Sequence, residues 1–186
     1  MYKIFSKVLT NKLKRILPKI STEHQSAFTK SRLIFYNILV AFESLHSMQK
    51  QNGKDGFMAI KLHMSKVYDR VEWPYLKAVM RKMGFNDKWI KLLLFCDTAV
   101  SYSILVNGEP NGLIYPSRGI RQGDSISPFL FLLCTEELHG LISKTAAQGD
   151  IRGYSLCRNS PWLTHLLFQT IACCFAGQQA KNVKGF

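Results

Sequence analysis

The chain has 186 residues, 25 Lys plus Arg against 12 Asp plus Glu, a formal charge of +13, and 47% hydrophobic and 12% aromatic residues. At about 100–150 residues per domain this is one domain or one and a fraction, and its apolar content excludes a disordered polyelectrolyte and a disulfide miniprotein. The cationic excess makes nucleic acid the expected partner, because a basic surface concentrates polyanions and releases their counterions.

In residues 1–18, Ile4, Phe5, Val8, Leu9, Leu13, Ile16 and Leu17 recur at three and four, with Lys3, Lys7, Lys12, Lys14 and Arg15 largely elsewhere. That spacing predicts an amphipathic helix with a basic face. Ser31 as a cap, with Ile34, Ile38, Phe42, Leu45 and Met48, predicts a second helix that ends in the turn-rich residues 52–56. Residues 57–64 read as a strand with Phe57, Ala59 and His63 on alternate positions, followed by a helix over 72–83 that Gly84 closes. Asn86 or Asp87 caps a helix through Phe95. Residues 101–106 and 112–115 flank Asn107-Gly108, a pair that supplies the positive φ values of a two-residue hairpin turn.

After a loop over 118–124, Ser127-Pro128 is a cap and first-turn pair for an apolar helix running to Gln148, with Gly149 as its stop. Residues 151–156 and 163–168 read as two strands around a turn at 158–161. Hairpins and helices without regular strand–helix alternation predict an α+β fold, an antiparallel sheet with helices packed on one face. Cys96, Cys134, Cys157, Cys173 and Cys174 are odd in number and lack a C-x-x-C pair, so neither a disulfide frame nor a zinc site is expected, and a reducing, intracellular compartment is. Apolar runs such as 126–134 fall short of the roughly 20 residues that cross a bilayer, and no cleavage site follows the first helix; neither a membrane span nor an export signal is expected.

Two clusters could carry chemistry. Residues 61–73 (Lys-Leu-His-Met-Ser-Lys-Val-Tyr-Asp-Arg-Val-Glu-Trp) place polar groups at a strand end and turn, although by themselves a solvated strand–helix corner with Lys66, Arg70 and Glu72 explains them better. Residues 118–125 set Arg118, Arg121, Gly119 and Gly123 before a helix start, where amides and guanidiniums can meet phosphate; an ordinary glycine loop is the alternative.

In this order, from Met1 to about Phe168, the clusters resemble the reverse transcriptase domain of plant LINE-type non-LTR retrotransposons. The stretches that carry the likeness are Tyr2-Lys3-Ile4 with Leu13-Lys14, then Glu23-His24-Gln25-Ser26-Ala27-Phe28 with Ser31-Arg32, the His63 segment, Val106-Asn107-Gly108, and residues 118–124 followed by Ser127-Pro128. The resemblance implies a right-hand polymerase fragment: partial fingers over residues 1–56, a palm over 57–168 and no thumb. It implies copying of RNA into DNA on a template-primer with two magnesium ions in the intact family. Tyr68 matches the residue against the sugar of the incoming nucleotide; Gln122 and Gly123 match the motif lining nucleotide and template, with Arg118 beside them. Arg32, Lys61, Lys66 and Arg121 are the further expected nucleic-acid contacts, by phosphate alone. Ser125 replaces a usual proline.

The departures fall on the catalytic carboxylates. Where the family reads Leu-Asp-Met-Ser-Lys-Ala-Tyr-Asp, His63 replaces the first aspartate. Where it reads Ala-Asp-Asp-Ser-Leu-Leu-Phe-Cys after Phe168, the chain has Gln169, Thr170, Ile171, Ala172, Cys173, Cys174, Phe175 and Ala176. Written as GCA GAC GAT AGC TTG CTG TTT TGC A, the family motif read without its first base becomes CAG ACG ATA GCT TGC TGT TTT GCA, which encodes that run. Residues 169–186 are therefore expected to be a frame-shifted tail. Magnesium prefers oxygen ligands in octahedral geometry, and His63, Thr170 and Ile171 bring no carboxylate. No metal or other cofactor is expected for this copy, nor polymerase activity; the alternatives are a basic nucleic-acid-binding remnant and a pseudogene product without function. Residues 163–168 are expected to lose their partner strand and expose an edge.

Overall fold

The computed structural model describes residues 2–22, 25–26, 28, 32–51, 56–158, 160–168 and 171–177. The elements are α1 (Tyr2–Ile20), α2 (Ile34–Lys50), β1 (Phe57–His63), α3 (Val67–Arg70), α4 (Trp73–Lys82), α5 (Asp87–Thr98), β2 (Tyr102–Val106), β3 (Glu109–Ile114), α6 (Ser127–Ala147), β4 (His165–Phe168) and β5 (Ile171–Gly177). Mixed helix and antiparallel sheet is thus the class. Two compact units form, one of Met1–Ile20 with Lys66–Cys134 and one of Ser21–Ser65 with Thr135–Phe186. Among the described residues no helix is long and apolar enough to cross a membrane.

In the first unit α1 buries Ser6, Leu9, Thr10, Leu13 and Leu17, and leaves Ile4 and Val8 exposed. The buried stripe keeps the expected three-and-four spacing but is rotated from the apolar face predicted. The cause is polar: the Tyr2 and Ser6 hydroxyls both bond the Asp124 carboxylate, which turns that side of the helix inward. Leu13 and Leu17 join Leu76, Met80, Ile90, Leu93, Ile126 and Leu130 among the most buried side chains. The helix expected over 72–83 is α4, preceded by the single turn α3. Asn86 caps α5 as predicted, its side chain accepting from the Lys88 N–H at 2.9 Å. The hairpin also forms as predicted, Val106 opposite Glu109 across Asn107 (φ 54°) and Gly108 (φ 88°).

The expected Ser127 cap is not made. Ile126 occupies the cap position, its carbonyl accepting from Phe129 and Leu130 at 2.9 and 3.1 Å, and the Ser127 hydroxyl is buried without a partner among the described residues. Asp124 supplies the capping oxygen instead, accepting from the Ile126 N–H at 3.4 Å. At the far end Gly149, at φ +83°, closes α6 as expected.

In the second unit the strands run in the order β1-β5-β4, all antiparallel. This corrects the expected bare edge: β4 keeps a partner, because Ile171 to Gly177 is apolar enough to add β5 between β4 and β1. The residues expected as a strand at 151–156 make only two isolated bridges, Arg152 to Gly177 and Tyr154 to Leu163. Backbones crowd there, so that a side chain at Gly153 would come within 2.6 Å of the Leu163 carbonyl. Ala41, Tyr154, Leu166 and Phe175 form the core on one face of the sheet. His165, one residue before Leu166 and so on the opposite face, meets His139 of α6 at 2.7 Å. Helical side chains therefore reach both faces, not one, in keeping with burial of the whole run His165-Leu166-Leu167.

Helix α2 departs most from its periodicity. It buries Asn37, Ala41 and Ser44, while Ile34, Ile38, Phe42 and Leu45, whose spacing signals the helix in the sequence, are exposed along with Phe35 and Leu39. Small side chains let the helix approach closely, and Asn37 donates its amide to the Leu167 carbonyl at 3.4 Å. The Ser31 cap, the turn residues 52–55 and residues 178–186 lie outside the described residues.

Candidate functional site

The glycine loop of the first unit is held on three sides. Gly119 donates to the Val71 carbonyl at 2.7 Å and Ile120 to the Tyr68 carbonyl at 2.8 Å, so the end of α3 and the following residue anchor the loop's start. The Trp73 indole donates to the Gly119 carbonyl at 2.7 Å. Gly119 itself is at φ +94°, and an added Cβ would sit 3.3 Å from the Asp69 backbone, so both conformation and closeness demand glycine. On the second side the Arg121 N–H reaches Asp97 Oδ1 at 3.0 Å, and on the third Asp124 takes the hydroxyls of Tyr2 and Ser6. The Arg121 guanidinium lies 5.4 Å over the Tyr2 ring.

Held this way, the loop forms a cavity of about 850 Å³ with Tyr2, Lys3, Ala99, Val100, Arg121, Gln122, Gly123, Asp124 and Ser125 around it. Gln122, Gly123 and Arg121 thus come together, with Lys3 adding a second cation. Arg118 is exposed and does not line this cavity; Tyr68 stacks on Phe131, ring centres 5.3 Å apart. Lys66 is exposed and left-handed, at φ 52°, where α3 begins.

One carboxylate under the loop is buried. Asp97 is 2% exposed, and its Oδ2 has no hydrogen-bond partner among the described residues. Burial pushes its pKa up to about 6, helped by the neighbouring Asp124 charge and opposed by the Arg121 amide and guanidinium. Burial and the bond to Asp124 raise the Tyr2 phenol as well, and burial pushes the Cys96 thiol up to about 11.

In the second unit His63 ends β1 and pairs with Ile171 across the β1–β5 ladder, so two of the three substituted positions are cross-strand neighbours. Thr170 lies outside the described residues. His63 and Lys61 are exposed. The Arg32 guanidinium is engaged by the chain itself, bonding the Ser21 hydroxyl at 3.2 Å, the Gln25 carbonyl at 2.9 Å and the Thr22 carbonyl.

Sequence reasoning missed the groups that position the loop: Tyr2, Ser6, Trp73 and Asp97. Tyr2 was within reach as part of the resemblance; Asp97, set among apolar residues of a helix, gave only the signal of a charge on a buried face. It also missed the half-buried His139–His165 contact, flanked by Ser143 at 3.3 Å and Thr164 at 2.8 Å.

Residues 1–176 match the family described as reverse transcriptase (RNA-dependent DNA polymerase). Among curated proteins the chain is similar to an uncharacterized mitochondrial protein of Arabidopsis thaliana, 53% identical over 34% of this chain and 52% of that protein. It is also similar to the uncharacterized 149 kDa protein of transposon TX1 from Xenopus laevis, 26% identical over 77% of this chain and 11% of the other. The retrovirus-related Pol polyprotein of type-1 retrotransposable element R2 from Popillia japonica is 28% identical over 54% of this chain and 16% of its own length. The chain therefore spans about half of the first relative and a small part of the other two.

Proposed function

The chain belongs to the reverse transcriptase family, as a domain of the LINE type, and on that premise we propose that this copy comes from a plant element and no longer polymerises. The observation that carries the inactive reading is the pairing of His63 with Ile171. At these positions an imidazole faces an aliphatic side chain. Magnesium requires hard oxygen ligands in near-octahedral array, so the donor set does not fit the ion the intact family uses. In this reading residues 1–56 are partial fingers, 57–168 the palm and 169–186 a tail read out of frame. Sequencing the locus tests the last point: no single-base insertion restoring the Asp-Asp reading would end it.

Binding of template and primer by phosphate contacts is the capacity left. The Lys3 and Arg121 cations beside Gln122 and Gly123 support it, as do exposed Lys61, Lys66 and Arg118; Arg32 would have to release its own carbonyls to contribute. Tyr68, stacked on Phe131, is the residue we assign to the sugar edge. Primer extension on an RNA template with magnesium or manganese should give no product, and His63→Asp alone should not rescue it. Extension by the unaltered chain would refute the proposal.

A further inference from the structure

A second cleft in the first unit shares no residue with the glycine-loop cavity. It holds about 430 Å³ between α1 and the segment joining α4 to α5, and is lined by Lys12, Ile16, Ile20, Met83, Gly84, Phe85, Asn86 and Trp89. That volume lies in the range of about 300–1,000 Å³ typical of small-molecule sites. Its walls are mostly apolar or aromatic, with Asn86 the neutral polar side chain and Lys12 the one charged group among them, its ammonium 5.9 Å from the centre of the Trp89 ring.

We propose that this cleft accepts one unstacked base of a single-stranded nucleic acid, with the flanking phosphates on the α1 cations; the inference rests on the nucleic-acid-binding reading above. Three features argue for that occupant. An indole, a phenyl ring and a thioether offer a base the polarisable contacts on which sequence-tolerant single-strand binding depends. The Asn86 oxygen already accepts from the Lys88 N–H at 2.9 Å, which leaves its NH2 to meet a base carbonyl, and the Trp89 indole N–H of the same cleft has no partner among the described residues. Charge selects against a neutral apolar ligand: Lys12, Ile16 and Ile20 follow one another at i, i+4 and i+8, with exposed Arg15 and Lys19 beside them and Lys88 exposed on the opposite segment. The nearest carboxylate in sequence, Asp87, is neutralised by Arg81 at 2.8 Å.

Fluorescence anisotropy at low salt on a labelled eight-residue oligothymidylate and on an abasic oligomer of equal length and charge tests the proposal. The base-bearing strand should bind about tenfold more tightly, the stacking of one base. Ile16→Trp, which fills the cleft without altering charge, should bring the two affinities within about twofold. Equal affinities for the unaltered chain overturn the base pocket alone, and so does a preference that survives in Ile16→Trp. Failure of both oligomers to bind overturns the nucleic-acid reading and the pocket with it. Photocrosslinking with 5-iodouracil needs no variant: adducts should map to the tryptic peptides Met83–Lys88 or Trp89–Lys91, and adducts found solely elsewhere count against the cleft.

Discussion

Asp97 links the glycine loop to pH, and Asp97→Asn isolates that link. In the folded chain its carboxyl titrates at about 6, against an ordinary value of 3.8. At 1.36 kcal/mol per pH unit the difference is worth about 3 kcal/mol. The folded state holds this proton more tightly than the unfolded state does, so the contribution is fully present below pH 4 and is lost as pH rises to 6. Asparagine keeps an oxygen for the Arg121 N–H, now 3.0 Å from Asp97 Oδ1, but has no proton to release. Urea unfolding of both proteins at intervals from pH 4 to 7, followed by tryptophan emission, cancels in the difference the titrating groups that do not interact with Asp97. The stability of Asp97→Asn relative to the unaltered chain should grow by about 2.5 kcal/mol across that window, the part of the difference released above pH 4. Parallel stability profiles would refute the assignment, and a gap that opens above pH 7 would mean that a different group titrates.

Two other substitutions test the architecture. Gly119→Ala forces a Cβ to 3.3 Å from the Asp69 backbone at φ +94°, and should destabilise by about 1–2 kcal/mol while shifting Trp73 emission through its bond to the Gly119 carbonyl. Phe175→Ala removes a side chain 1% exposed in the core with Tyr154 and Leu166, and should cost about 3–5 kcal/mol in chemical denaturation; an appended, unpacked tail would give no change.

What could be read from the sequence followed local chemistry. The Asn107-Gly108 turn, the Asn86 cap and the Gly149 stop each depend on one residue's backbone or short side chain, and each stands as expected. What could not be read depended on distant partners. Ser6 looks like a polar interruption of α1 until Asp124, more than a hundred residues away, takes its hydroxyl. Ala41 and Ser44 look like the outer face of α2 until the sheet beside them sets a premium on closeness. In the same way β5 was hidden because Ile171 to Gly177 was read through the family motif it replaces, not through its own strand-forming composition. The candidate loop was visible because glycines and arginines cluster in sequence; its supports were not, because they come from three helices.

The outward face of α2 also governs how the chain behaves as a solute. Phe35, Leu39 and Phe42 are each at least 63% exposed, a greasy band on a particle whose net charge of +13 keeps like particles apart. Colloidal stability then depends on the charge being uncompensated. Salt shortens the repulsion to about 8 Å at physiological strength, and bound RNA cancels it outright. Turbidity should peak where about 13 phosphates are added per chain and fall again in excess RNA, so that the polyanion the charge attracts is also what brings the bands together.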